Sequence, residues 1–165
     1  MSQIEKAQAE YTGFTDNFQS AVICTISKDG IPNASYAPVV IDDAKNVYIY
    51  VSGLANHTQN IQDNPHVSVL FIDDEATTPQ IFARRRLTFD CLATLIERDT
   101  VPWVEIVDNF QLKFGEIIEM LRSLPDFRIF KLTPQSGRFV IGFGSIYDVT
   151  GDNLDKLQPV TGGKG

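Results

Sequence analysis

Both histidines of the chain, His57 and His66, fall within one stretch, LANHTQNIQDNPHVSVLF, residues 54–71. They stand nine residues apart, a spacing that does not put both imidazoles on one helical face, so no two-histidine metal clamp is encoded. Nor does the chain carry a dinucleotide fingerprint, a P-loop, a nucleophile elbow or a zinc-protease helix. Small and polar residues surround His57 instead: Ser52, Gly53, Asn56, Thr58 and Asn60, at an expected strand-to-helix junction. A helix start exposes unpaired backbone N–H groups, and with hydroxyl and imidazole donors beside them these could cradle an anion or a phosphate. The alternative is plainer: Asn56 or Thr58 caps the helix, and His57 lies on the surface. A second candidate is the run Arg84-Arg85-Arg86. In an alternating strand Arg84 and Arg86 share a face, either as a surface ion-pair belt or as a groove that grips carboxylates or phosphate. Asp73-Asp74 reads as a solvated turn.

Those residues must be positioned by elements that the sequence also indicates. An amphipathic helix is expected over residues 1–18, with Ile4, Tyr11, Phe14 and Phe18 on one face. SAVICTIS and IPNASYAPVVI read as strands joined by KDG, a turn that demands positive φ at Gly30. Pro32 and Pro38 each remove a ladder donor, which makes the second strand irregular or an edge. VYIYVS is a third strand, LANHTQNIQDN a short helix stopped by Pro65, and HVSVLFID a fourth strand. IFARRRLTFDCLATLIER reads as one bent strand or a strand pair. A helix over 102–124 follows from Phe110, Phe114, Ile117, Ile118 and Leu121, with Pro125 as its stop. DFRIFKLTP and GRFVIGFGSIYDV complete the strands, with a bend at Gly142 and Gly144, and residues 150–165 are expected to be a flexible tail. Six or seven mostly hairpin-connected strands with one inserted helix imply a single mainly β, barrel-like domain over 1–165, not a doubly wound sheet.

A net charge of −7 argues against nucleic acid and anionic membrane surfaces as partners. Cys24 and Cys91 sit in separate apolar strands and read as buried thiols of a reducing compartment. No run reaches membrane-spanning length and the N-terminus has no apolar signal region, so a cytoplasmic location is expected.

Taken in order, YIYVSGLANHTQNIQDNPHVSVLF resembles the strand–helix–strand signature of the pyridoxamine 5′-phosphate oxidase-like, FMN-binding split-barrel superfamily. IFARRRLTFDCLATLIER and DFRIFKLTPQSGRFVIGFGSIYDV resemble its haem-utilisation branch, the HugZ/HutZ type. The resemblance implies a six-stranded antiparallel split β-barrel with flanking helices, a homodimer, and a cofactor at the subunit interface. In the flavin enzymes a basic pair and a Ser-Arg-Lys stretch hold the FMN phosphate; the matching positions here are Ser35, Val40, Ala55, Asn56 and His57. Each charge-assisted contact so lost removes about 1.5–3 kcal/mol of gross interaction. FMN would then be held through Ser52, His57, Thr58, Asn60 and Arg84 or Arg86. The haem branch implies a cleft whose iron ligand is a tail histidine supported by an acidic residue; Asp126 matches the acidic position, whereas the tail carries Lys164. The leading expectation is an FMN-binding redox protein, a flavin-dependent oxidoreductase in activity. A haem-binding or haem-degrading protein is the alternative, and a cofactor-free dimer that binds a small ligand comes third.

Overall fold

A computed structural model of the chain describes residues 1–161. Eight antiparallel strands form one sheet: β1 (Ser20–Ile26), β2 (Pro32–Ile41), β3 (Val47–Ser52), β4 (His66–Ile72), β5 (Arg86–Ile96), β6 (Phe127–Gly142), β7 (Ser145–Thr150) and β8 (Lys156–Pro159). Their order is β3-β2-β1-β4-β5-β6-β7-β8, and a further pairing of β3 with β6 closes the first six into a barrel. The expected six-stranded split barrel is therefore present, with β7 and β8 as an added flap.

Local chemistry explains the turns. Gly30 at φ 80° donates to the Ser27 carbonyl at 2.9 Å and closes the β1–β2 hairpin as KDG demands. Residues 32–38 of β2 pair only with β1, while β3 pairs with Val39, Val40 and Ile41. The two prolines thus sit on an unpaired edge that faces the split, where a missing donor costs no ladder bond. In β6, Pro134 falls beside a register shift opposite Asp90 and Cys91, so the strand bends where its β3 partner gives way to β7, while β5 pairs along its other side.

Alternation fills the barrel. Ile23, Val39, Ile49, Val69, Phe71, Leu87, Phe89, Leu132 and Phe139 point inward and are buried. Helix α1 (Gln3–Phe14) closes one side with Ala7, Tyr11 and Phe14, and Phe14 meets Phe139 edge-to-face at 5.2 Å. Its N-terminus is a complete capping box between Ser2 and Glu5. The helix ends earlier than expected, passing into a 3-10 turn at Thr15–Asn17.

Two other expectations are corrected. The helix over 102–124 is two helices, α3 (Val101–Phe114) and α4 (Ile117–Arg122), because Gly115 adopts φ 82° and ψ −148° between them. Both helices pack Trp103, Ile106, Val107, Phe110 and Ile118 onto Tyr50 and Ile129, outside the barrel wall. The tail expected to be flexible contains β8, whose one buried side chain is Leu157. Its outer edge is covered by Gln8 of α1, whose amide donates to the Asp155 carbonyl at 2.6 Å and accepts from the Leu157 N–H at 3.2 Å. Lys164 lies outside the described residues. No helix among the described residues is long and apolar enough to cross a membrane.

Candidate functional site

Helix α2 (Asn56–Asp63) covers one mouth of the barrel, with Thr58 and Ile61 buried beneath it. The chain reaches it through a sharp corner. Gly53 donates to the Asp126 carbonyl at 2.8 Å, and a Cβ added there would lie 2.9 Å from that same oxygen. Glycine is needed for this approach of two backbones. The N-cap is Ala55, with no side-chain cap, so neither Asn56 nor Thr58 caps the helix. The Thr58 hydroxyl instead donates back to the Ser52 carbonyl at 2.6 Å.

Two further polar contacts fasten α2 to the barrel rim. Asn60 donates to the buried Thr25 hydroxyl at 3.0 Å. His57 Nδ1 lies 2.9 Å from Ser35 Oγ, and that hydroxyl donates to the Ile23 carbonyl at 3.2 Å. Burial holds the His57 imidazole below its ordinary pKa and keeps it neutral near pH 7. Ser52 Oγ accepts from the Leu54 N–H at 3.1 Å and faces Asp126 Oδ2 at 3.4 Å. Ser52, His57, Thr58, Asn60 and Asp126 are thus gathered at one corner, largely by bonds that build the corner itself.

Sequence reasoning missed Arg128. It pairs with Val51 across β3 and β6 and donates to Gln62 of α2 at 3.2 Å. Its guanidinium carbon would lie 3.5 Å from a Cβ on Gly53. The alternation of DFRIF signals a strand, but only the β3–β6 register carries this cation to the corner.

The arginine run lies elsewhere, and Arg84 is not in a strand. Its Nε donates to the Asp73 carbonyl at 2.6 Å, so it clasps the β4–β5 loop. Arg85 pairs with Asp73 and Glu10 and lies over the Phe14 ring. Arg86 opens β5 and donates to the Arg84 carbonyl at 2.8 Å. Its guanidinium borders a groove of about 580 Å³ on the outer sheet face, with Thr88, Ser136 and Arg138. Arg86 pairs with Ile72, whereas His66, just beyond α2, pairs with Leu92. Six residues of strand, roughly 20 Å, separate those positions. One chain does not bring Arg84 and Arg86 to His57.

The outer face beside this groove is mostly uncharged. Tyr36, 69% exposed, heads a row through Val22, Leu70 and Thr88, next to a row of Ala34, Cys24, Ser68 and Asp90. Cys91 faces inward from β5, and its thiol is pushed up to about 12 by burial. Among the described residues no three His, Cys, Asp or Glu side chains come together as a metal site.

A closed six-stranded antiparallel barrel, split beside β2 and covered by a short helix after β3, is the architecture of one protein class, and the comparisons agree. The family model for pyridoxamine 5′-phosphate oxidase matches residues 7–141. The chain belongs to that family. It is 40% identical over 149 residues to the heme oxygenase HutZ of Vibrio cholerae serotype O1 (strain ATCC 39315 / El Tor Inaba N16961), covering 90% of this chain and 84% of HutZ. The crystal structure of HutZ, described as a heme storage protein, superposes with TM-score 0.76 at 39% identity over 82% of this chain and 95% of that one. Campylobacter jejuni ChuZ gives TM-score 0.85 at 31% identity, over 97% of this chain and 64% of ChuZ. A putative pyridoxamine 5′-phosphate oxidase from Listeria innocua, 22% identical over 80% of this chain and 96% of its own, shares the fold with TM-score 0.60.

Proposed function

We propose that this protein binds haem, with the α2 corner at the edge of the binding cleft. The observation that carries the reading is the charge of that corner. A phosphate needs cations or free donors. Here the imidazole is neutral and tied to Ser35, and the corner sets one carboxylate, Asp126, against one guanidinium, Arg128, which gives a single N–H to Gln62. The identity with HutZ supports the same reading. FMN, the leading expectation from sequence, has the fold in its favour and the charge of the corner against it. Haem, when bound, supplies the redox and oxygen chemistry. His57, Ser52 and Asp126 would hold and orient it at the corner.

The cleft would be completed by a second copy of the chain. Tyr36 and its apolar neighbours form an outer face suited to burial. Arg86 lies on that face, so it would join the corner only from the second copy.

Titration of the purified protein with hemin and, separately, with FMN tests the proposal. A saturable haem band near one equivalent per chain, with FMN left spectrally free, is expected. Saturable flavin binding without haem binding would overturn it.

A further inference from the structure

Three groups stand in line at the barrel rim: the Ile23 carbonyl, the Ser35 hydroxyl and the His57 imidazole. A serine hydroxyl has one proton to give and lone pairs to accept with. If Ser35 gave its proton to His57 Nδ1, two lone-pair oxygens would face each other 3.2 Å apart, on Ser35 and Ile23. If Ser35 gives it to the Ile23 carbonyl, Nδ1–H donates to Ser35, and both contacts become hydrogen bonds. Only the second arrangement satisfies both.

We infer that Ser35 fixes His57 in its Nδ1–H tautomer, so that Nε2 offers an unprotonated lone pair to an electron-pair-accepting group of the ligand. His57 is only partly covered, while Ser35 holds the Nδ1 edge against the rim. The burial that keeps the ring neutral acts in the same direction. Asp126 beside it is an acceptor too, and the nearby cation, Arg128, gives one N–H to Gln62. At His57 Nε2 the corner therefore favours an iron centre or an acidic O–H over an anion. Ser35 is a positioning residue: it orients the imidazole from behind, as partners of ligating histidines do.

The choice of ligand rests on the haem reading; the tautomer does not. Nitrogen-15 NMR of the ligand-free protein reads the tautomer directly, and with two histidines in the chain His57→Ala assigns the signals. Above pH 7 His57 should show a protonated Nδ1 and a bare Nε2. Ser35→Ala should lose that preference and Ser35→Thr should keep it. Hemin and metal-free protoporphyrin IX are then titrated in parallel. Hemin binding should weaken about tenfold in His57→Ala and in Ser35→Ala, and recover in Ser35→Thr. Weakening of hemin alone identifies iron as the acceptor; equal weakening of both identifies a porphyrin acid group. A proton on Nε2 in the wild-type protein would overturn the inference, as would hemin binding that His57→Ala leaves unchanged. A wild-type protein that ignores hemin while showing the Nδ1–H tautomer would sink the haem reading alone.

Discussion

His57 is held at the barrel rim by one hydrogen bond and by burial, and both bear on how the protein responds to acid. Its pKa lies below 6.5 in the folded state, so the unfolded chain binds more protons in the window just under 6.5. Stability contributed by the neutral ring is complete above that value and is lost as pH falls through the folded pKa. Urea midpoints should fall between pH 7 and pH 5 in the wild-type protein, and His57→Gln should flatten that part of the profile. An identical pH slope in both would remove His57 as the cause. Asp126→Asn should leave the unfolding free energy from urea titration within about 1 kcal/mol of wild type, since the bond to Gly53 uses its backbone carbonyl. The sequence singled out this corner because small, polar and imidazole side chains cluster there. It could not show that Thr58 and Asn60 spend their hydrogen bonds on the fold, since Thr25 and the Ser52 carbonyl are neighbours only once the barrel exists.

Among the elements, the α3–α4 pair shows where periodicity misleads. Phe110, Phe114, Ile118 and Leu121 keep helical phase across Gly115, so the apolar stripe reads as one helix although the backbone breaks there. A φ of 82° with ψ of −148° is a conformation that suits glycine almost alone. Gly115→Ala should therefore cost about 1–3 kcal/mol, read as a lower urea midpoint with an unchanged m value. Lys113, just before the break, donates to the Val39 carbonyl at 2.7 Å and the Phe18 carbonyl at 3.1 Å. It pins the helical layer to the barrel. Strand alternation, by contrast, was legible in β1, in β4 and in β5 as far as Cys91, where every second side chain enters the core. β8 escaped notice because one buried leucine in four residues leaves no pattern to read.

For the molecule as a whole, the barrel depends on β3 meeting β6, with Val47 opposite Leu132 and Ser52 opposite Phe127. Partners so far apart in the chain leave no local mark, and the closed fold was recognisable through the order of motifs and not through periodicity. The outer face carries the prediction that belongs to this scale. If a second copy covers it, Tyr36→Asp should yield a monomer in sedimentation at micromolar concentration with its circular dichroism intact. A wild-type protein that already sediments as a monomer would remove the completed cleft. The Gln8 contact with β8 has a different consequence. Its amide stands in for the backbone of a ninth strand, satisfying one donor and one acceptor along the rim of the sheet. A chain deprived of α1 would present that rim bare, together with Phe139, on which Tyr11 and Phe14 pack. Its expected fate is open-ended polymerisation, strand upon strand.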